Sequence, residues 1–254
     1  MTTSETPLLE LRGVSKSFGP VEALTNVDFR ALSGRVMALV GDNGAGKSTL
    51  IKCIAGIYAA DTGEFLFDGQ PVAIHGPKDA AALGIEVVYQ DLALCDNLDI
   101  VQNMYLGREV VDQFRRLDEA TMEKRTGETL RSLSVTTIRS IRQNVASLSG
   151  GQRQSVAVAK AVMWNSKLVI LDEPTAALGV AQTRQVLDLV RRLADQGLAV
   201  VLISHNLNDV FEVADLITVL RLGRNVGEYV ARDTTQQQVV EAITAGIPKK
   251  ATAA

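Results

Sequence analysis

The sequence predicts an α/β fold with a largely parallel β-sheet, and three features of the chain lead to this prediction. Buried strands are indicated by short apolar runs, namely RVMALV, IEVVYQ, LVILD and LAVVLIS. Segments with helical spacing of apolar residues separate several of these runs, as is typical of parallel strands joined by crossover helices. Between residues 91 and 165 the strand signals fade and helical spacing dominates, which indicates an inserted helical subdomain.

The elements before this insertion follow from their local patterns. Antiparallel strands are indicated by LLELRGVSKSF and VEALTNVDFRA, and a strand with a turn by ADTGEFLFDG. The run RVMALV leads into a Gly-rich loop, and the helix after that loop is STLIKCIAGIY. A short helix is expected at residues 78–83, and the strand IEVVYQ is expected to end at Gln90.

The remaining elements are mostly helices. Within the insertion, helical spacing occurs in LDIVQNMYLGRE, LDEATMEKRTGETLRSL and GGQRQSVAVAKAVMW. The helix VAQTRQVLDLVRRLADQG then separates the strands LVILD and LAVVLISH, and LITVLRLGRNVGEYV predicts a hairpin. A last helix, TTQQQVVEAITAG, begins with a Thr cap. We therefore expect one domain over residues 1–254, with a core at 8–90 and 166–246, a helical subdomain at 91–165, and loose tails at 1–7 and 247–254.

Composition excludes several classes of protein. The net charge of -3 argues against a protein built mainly to hold nucleic acid, so no nucleic-acid partner is expected. Two cysteines, Cys53 and Cys95, do not make a disulfide framework in a chain of 254 residues, and we expect reduced thiols. No apolar run approaches the roughly 20 residues that cross a bilayer. We expect a soluble, intracellular protein that can dock on a membrane-embedded partner.

The Gly-rich loop GDNGAGKST matches the P-loop pattern G-x-x-x-x-G-K-[ST] between a predicted strand and a predicted helix. Its glycines permit positive φ and leave backbone N–H groups free for phosphate oxygens, and the following helix adds its dipole. Lys47 is expected to reach the β- and γ-phosphates, and Ser48 to ligate Mg²⁺. The predicted fold class is a P-loop NTPase (RecA-like) core with an antiparallel β subdomain and an inserted α-helical subdomain. The predicted phosphate-binding residues are Gly41, Asp42, Asn43, Gly44, Ala45, Gly46, Lys47, Ser48 and Thr49.

An acidic pair, Asp172 and Glu173, ends the apolar run LVILD. Parallel sheets bind ligands at the carboxyl ends of their strands, so both side chains are expected at the ligand edge. Asp172 would hold Mg²⁺ directly or through water, and Glu173 would orient the attacking water as a general base.

A second anion site is predicted at the start of the helix QRQSVAVAKAVMW. Ser149, Gly150 and Gly151 open this helix, and Gln152 follows them. Helix N-termini carry unpaired N–H groups and a partial positive charge, which favour phosphate. Because the chain already has one phosphate loop, a second cradle is useful only for a nucleotide held by another copy. This argument predicts a head-to-tail dimer with ATP between the copies.

The order GDNGAGKST, LSGGQRQ, LVILDEP resembles that of ATP-binding cassette (ABC) ATPases over about residues 8–246. The resemblance implies an ATPase that uses ATP and Mg²⁺. It also gives roles to three further residues: Phe18 as the aromatic that stacks on adenine, Gln90 as the Q-loop residue near Mg²⁺ and water, and His205 as the switch histidine at the γ-phosphate. The implied catalytic set is Glu173, Gln90, His205 and Lys47, and the implied metal ligands are Ser48, Gln90 and Asp172.

Within that family, several strings look like the carbohydrate-importer branch that serves fructose, ribose and xylose. These strings are GDNGAGKSTLIK, VVYQDLALCDNLDIVQNMYLGRE, DEPTAALGVAQTRQVL and LISHNLNDVFEVAD. The likeness implies a membrane permease, indirectly a secreted sugar-binding protein, and a cytoplasmic location against the inner face of the membrane. One position departs from the family, because Gly179 stands where many ABC ATPases have Asp.

Other functions remain open at the level of sequence. A soluble ABC ATPase acting on ribosomes or DNA usually carries two cassettes or long coiled-coil insertions, and an exporter subunit would share the same motifs. A P-loop kinase or switch protein would have no use for LSGGQRQ. An apolar stretch after Gln90 could form a groove for a partner helix, or it could pack within the helical subdomain. Its apolar members are Leu92, Leu94, Leu98, Ile100, Met104, Tyr105 and Leu106.

Overall fold

A computed structural model describes residues 6–246, which form two β-sheets with helices around the larger one. The smaller sheet is antiparallel with the strand order β2-β1-β4-β5, and the larger has the order β10-β9-β3-β8-β7-β6. The strands are β1 (Leu9–Phe18), β2 (Val21–Ala31), β3 (Val36–Val40), β4 (Thr62–Phe67), β5 (Gln70–Val72), β6 (Ile85–Val88), β7 (Leu168–Asp172), β8 (Ala199–Ile203), β9 (Leu216–Arg221) and β10 (Arg224–Val230).

Eight α-helices connect and cover these strands within the described residues. Two single-turn 3₁₀ helices, Val145–Ser147 and Ala231–Asp233, lie between them. The helices are α1 (Lys47–Ile54), α2 (Pro77–Ala82), α3 (Ile100–Tyr105), α4 (Glu119–Ser132), α5 (Gly150–Val162), α6 (Val180–Asp195), α7 (Leu207–Val213) and α8 (Gln236–Ala245).

The parallel part of the larger sheet sets the position of the site. Strands β3, β7 and β8 are buried almost along their whole length, which explains their unbroken apolar sequences. They pair in parallel, as does β6 with β7 and β9 with β3, so their carboxyl ends meet at one edge. The predicted fold class is confirmed, including the antiparallel sheet and the final hairpin β9–β10.

The helical segment shares its core with the sheet. One cluster of buried side chains joins α3, α4 and α5 to β7, β8 and α6, and it includes Tyr105, Leu130, Val158 and Leu171. Helix α5 contacts both β6 and α6, so it ties the insertion to the parallel sheet. The division into a core and a helical subdomain stays a prediction, and the predicted tails lie, apart from Thr6 and Pro7, outside the described residues.

Several predicted boundaries are wrong by a few residues. The helix after the Gly-rich loop ends at Ile54, because Gly56 adopts a φ of 71°, where a β-carbon would lie 2.4 Å from the carbonyl oxygen of Gly76. Strand β6 ends at Val88, whose ladder partner is Leu171. Gln90 therefore does not end a strand and lies in the bend beyond it. His205 likewise follows the end of β8 by two residues.

The apolar stretch after Gln90 mostly packs inside the protein. Ile100, Met104 and Tyr105 are buried, and Leu92 and Leu94 pack partly against the same core. This result favours internal packing over a continuous groove. One member differs, because Leu106 follows α3 with 45% of its surface exposed.

Cys53 is buried in α1, Cys95 is partly buried, and both are free. Burial raises the pKa of the Cys53 thiol to about 11, so it is protonated at neutral pH. Across residues 6–246, no helix has the length and hydropathy needed to cross a membrane.

Helix α6 offers a direct test of the departure at Gly179, which is its N-cap residue. A β-carbon at Gly179 would meet no atom within 4 Å, and its φ of -74° suits any residue. A Gly179→Asp variant is therefore expected to be more stable by about 0.5–1 kcal/mol, because the carboxylate caps the helix and complements its dipole. Urea unfolding measures this difference.

Gly179→Ala is the matched control for that substitution. It adds a β-carbon without a hydrogen-bond acceptor, and alanine is a poor N-cap, so we expect no gain in stability. An aspartate variant no more stable than the alanine variant would show that α6 gains nothing from a cap at this residue.

Candidate nucleotide site

The Gly-rich loop runs from the end of β3 to the start of α1. Gly41 has a φ of 153°, and a β-carbon there would lie 2.2 Å from the carbonyl oxygen of Leu220. Gly46 has a φ of 102°, and a β-carbon there would lie 2.7 Å from the carbonyl oxygen of Ala23. Both positions therefore require glycine, because the loop turns tightly against β2 and β9.

The exposed side of this loop is available to an anion. Asp42, Asn43, Gly44 and Ser48 are exposed, Gly46 and Thr49 are half-buried, and Ala45 is buried against the protein. The N–H of Ala45 donates to the carbonyl oxygen of Asp42 at 3.1 Å, so this amide is used within the loop. Phosphate binding by the remaining amides stays a prediction.

Lys47 begins α1 and bends back over the loop. Its Nζ donates to the carbonyl oxygen of Gly41 at 2.7 Å and to that of Asp42 at 3.0 Å. Burial lowers the pKa of the Lys47 ammonium, and Glu173, Asp172 and Asp42 partly oppose this effect. The ammonium is thus half-buried and faces the acidic pair across the loop.

The acidic pair lies at the carboxyl end of β7. Burial raises the pKa of Asp172, and the neighbouring Glu173 raises it further, while Lys47 and Lys52 oppose this effect. Glu173 has a φ of 50°, which is the left-handed region, and its backbone N–H donates to the carbonyl oxygen of Ile203 at 3.0 Å.

Glu173 and His205 form a direct pair. The distance between Nδ1 of His205 and Oε2 of Glu173 is 2.8 Å, and the histidine side chain is 73% exposed against 17% for the glutamate. The structure therefore brings together two residues that the sequence placed at the ends of separate strands. This arrangement suits a role for the Glu173 carboxylate as a general base that the His205 imidazole orients.

An open cavity of about 580 Å³ lies over this pair. Three residues of the Gly-rich loop line it together with Gln90, Glu173 and His205. Helix α8 forms one of its walls, which the sequence did not predict. Its lining residues are Val40, Gly41, Asp42, Asn43, Gln90, Glu173, Ser204, His205, Leu207, Val240, Ile243 and Thr244.

Phe18 lies at the end of β1, outside that cavity. It is 42% exposed, and its ring meets the edge of Tyr58 with 5.0 Å between centroids. The ammonium of Lys16 lies 5.6 Å from the same ring. An exposed aromatic held in this way can stack on a base, and this role stays a prediction for Phe18.

The second predicted anion site is the N-terminus of α5. Ser149 caps the helix, its Oγ accepting from the N–H of Gln152 at 3.4 Å, and Gln152 Oε1 accepts from the N–H of Ser149 at 2.9 Å. A β-carbon on Gly150 would lie 2.8 Å from Leu178, and one on Gly151 would lie 3.2 Å from Cβ of Gln182, so both glycines allow close packing beside α6. No residue from 149 to 152 lines the cavity at Glu173.

The family model for ABC transporters matches residues 24–176, a range that contains both the Gly-rich loop and the acidic pair. This chain belongs to the ABC transporter family. It is an ABC ATPase, with an ATP-binding cassette as its fold.

Relatives of this ABC ATPase match over most of its length. The fructose import ATP-binding protein FrcA of Rhizobium meliloti is 47% identical over 95% of each chain. The xylose/arabinose import ATP-binding protein XylG of Sulfolobus acidocaldarius is 46% identical, over 93% of this chain and 94% of that one. The ribose import ATP-binding protein RbsA 1 of Rubrobacter xylanophilus is 44% identical over 92% of this chain, which spans 46% of the longer relative.

Solved structures agree with this assignment. A nucleotide-free ATP-binding cassette from an ABC transporter superimposes with a TM-score of 0.79 at 25% identity, covering 89% of this chain and 92% of its own. The dimeric structure of the ATP-binding cassette MJ0796 in a post-hydrolysis state, bound to ADP and phosphate, gives a TM-score of 0.72 at 25% identity, covering 88% of this chain and 99% of its own.

The ABC ATPase also holds a buried polar group that the sequence reasoning missed. Asp209, in the first turn of α7, is 6% exposed and accepts from Thr175 and Asn206. Thr175 follows the predicted site residue Glu173 by two positions. Asn206 directly follows the predicted site residue His205. Short polar residues at those positions were the available signal, but nothing in the sequence pairs them with Asp209.

Proposed function

We propose that this ABC ATPase powers the import of a sugar through a membrane permease, and that two copies enclose ATP between them. The observation that carries the hydrolysis step is the Glu173–His205 pair beside the Gly-rich loop, in a cavity open to solvent. Such an arrangement supports water attack on a terminal phosphate.

The chain's own residues have separable tasks in hydrolysis. Backbone amides of the Gly-rich loop and Lys47 bind the β- and γ-phosphates. Glu173 accepts the proton of the attacking water, because its carboxylate lies beside the Gly-rich loop and is oriented by His205. Gln90 lies in the same cavity and positions water or the γ-phosphate. Phe18 carries the adenine.

Mg²⁺ fits the donor set at this edge of the sheet. Ser48, Asp172 and Gln90 supply hydroxyl, carboxylate and amide oxygens, which suit a hard cation that also takes phosphate oxygens. Burial of Asp172 raises its pKa, so an adjacent cation would favour its charged form. When bound, the ion neutralises negative charge on the phosphates. Across residues 6–246, no group of three or more acidic, His or Cys side chains could hold a metal.

The second copy supplies the start of α5. Ser149, Gly150 and Gly151 form a capped helix N-terminus that does not line the cavity of its own chain. Placed over the γ-phosphate of the other copy, it makes closure depend on ATP, because ADP lacks the contact. A ligand drives closure only through its higher affinity for the closed state. Hydrolysis removes that preference and opens the dimer.

The sugar class and the partners rest on the relatives. The relatives FrcA and XylG, at 47% and 46% identity, are import ATP-binding proteins for fructose and for xylose or arabinose. A monosaccharide is therefore the proposed cargo. The permease carries the sugar path, a secreted binding protein delivers the sugar, and the ATPase lies against the cytoplasmic face of the membrane. A ribosomal or DNA-directed ABC ATPase is the alternative that recovery of partners from membranes distinguishes from this function, whereas the relatives favour import over an exporter subunit.

Leu106 is the proposed permease contact, because it is the most exposed apolar residue of the stretch after Gln90. A Leu106→Asp variant is expected to recover at least about 10-fold less permease from solubilised membranes, since a carboxylate would be buried without a partner. The ATPase activity of the isolated variant should stay within about twofold of the parent, which a phosphate-release assay checks.

Val230→Asp is the matched control, because Val230 is similarly exposed, at 40%, at the end of β10. It should recover as much permease as the parent chain. Recovery of ribosomes or nucleic acid in place of a permease would contradict the transport function. Equal permease recovery by both variants would remove Leu106 from the interface.

A further inference from the structure

Glu173 and His205 lie on two separate loops, and one buried carboxylate joins these loops. The hydroxyl of Thr175 donates to Oδ2 of Asp209 at 2.6 Å, and Nδ2 of Asn206 donates to Oδ1 of the same residue at 2.9 Å. Thr175 lies two residues after the proposed base, and Asn206 directly follows its histidine partner. Each oxygen of the Asp209 carboxylate therefore holds one of the two loops.

The loop of Glu173 needs such support because its backbone is unusual. Glu173 and Ala177 both adopt left-handed φ values, 50° and 60°, which cost free energy for residues other than glycine. A conformation of this kind persists only where the surroundings fix it. The bond from the N–H of Glu173 to Ile203 holds one end of the turn, and the bond from Thr175 to Asp209 lies between the two strained residues.

The loop of His205 is fixed by the same group. Asn206 is the N-cap of α7, where its side chain accepts from the N–H of Asn208, and its own N–H donates to Oγ of Ser204. Its amide nitrogen is then free to donate to Asp209. Movement of either loop would leave an oxygen of a buried carboxylate without a donor, which is costly.

We propose that Asp209 is a positioning residue for ATP hydrolysis: it fixes the loops of Glu173 and His205 relative to each other, so that the base meets the attacking water. Asp209 itself contacts neither catalytic side chain in hydrogen bonds, so it acts through Thr175 and Asn206. This inference rests on the proposed role of Glu173 as the base.

The test compares two substitutions of one donor, Thr175→Val and Thr175→Ser. Valine keeps the shape of threonine and removes the hydroxyl, whereas serine keeps the hydroxyl. We expect the valine variant to lose at least about 10-fold in kcat, because the base is displaced, while its Kd for ATP stays within about threefold. The serine variant should return kcat to within about threefold of the parent. Phosphate release and nucleotide titration provide both values.

A structural control lies at the opposite edge of the sheet. Asp215 accepts from the N–H of Val36 and pairs with Arg191, so Asp215→Ala should lower the melting temperature while kcat stays within about twofold. Asp209→Ala breaks the bonds from both Thr175 and Asn206, so its kcat should be at least as low as that of Thr175→Val, and the double variant should be no slower than Asp209→Ala, because the bond from Thr175 is already lost.

The outcomes separate this inference from the proposed function. Normal kcat in Thr175→Val, with Glu173→Gln inactive, would overturn the positioning role and leave the base assigned. Equal kcat losses in the valine and serine variants would also overturn it, since the hydroxyl would then be irrelevant. Normal turnover by Glu173→Gln would overturn the base and the positioning role together.

Discussion

A Glu173→Gln variant is expected to bind ATP with the affinity of the parent chain and to hydrolyse it at least about 100-fold more slowly. Glutamine keeps the length of the side chain and an oxygen that can accept from Nδ1 of His205, so the pair at 2.8 Å can persist. The amide cannot take the proton of the attacking water. In the proposed cycle hydrolysis opens the ATP-bound dimer, so closed dimers of this variant should accumulate on a sizing column in ATP.

Glu212→Gln on α7 is the control for that substitution. Glu212 is exposed and does not line the cavity, so the same change of charge there should leave hydrolysis within about twofold. Normal turnover by Glu173→Gln would place the base elsewhere. A loss of ATP affinity equal to the loss of turnover would show damage to the site and not the loss of a base.

The local geometry of the site could be predicted from short stretches of sequence. Gly41 and Gly46 need glycine because neighbouring backbone oxygens leave no room for a β-carbon. Such positions occur in a contiguous motif between a strand and a helix, so both the motif and its context are visible in the chain. Ser149 is similar, because a cap and its helix are neighbours in sequence.

Contacts between distant segments could not be predicted in this way. The pairing of Glu173 with His205 depends on β7 and β8 being neighbours in the sheet, where Asp172 lies opposite Ile203. The wall that α8 adds to the cavity depends on the final hairpin returning this helix to the carboxyl edge. No local pattern of apolar or polar residues contains either fact.

The ends of strands were also predicted incorrectly from the sequence. The apolar run IEVVYQ continues through Tyr89, yet β6 ends at Val88, because its last rung pairs with Leu171. The next residue of β7, Asp172, pairs only with β8. Hydrophobicity marks burial, whereas a strand ends where its partner's backbone turns away, so Gln90 belongs to the loop and lines the cavity from there.

A Lys47→Ala variant is expected to raise the Kd for ATP by about 10- to 100-fold, since a charge-assisted hydrogen bond contributes about 1.5–3 kcal/mol. The ammonium is half-buried and already lies 2.7 Å from the carbonyl oxygen of Gly41, so it needs little movement to meet a phosphate in the loop. Nucleotide titration by calorimetry measures the change.

The same lysine also holds the loop, and the melting temperature distinguishes its two roles. Lys47 donates to the carbonyl oxygens of Gly41 and Asp42, and its loss leaves both without that donor. Lys78→Ala removes an exposed lysine on α2 and should change neither ATP affinity nor melting temperature. Weaker ATP binding by Lys47→Ala at an unchanged melting temperature assigns the ammonium to phosphate. A lower melting temperature with unchanged ATP affinity would make Lys47 a support of the loop and contradict its phosphate role.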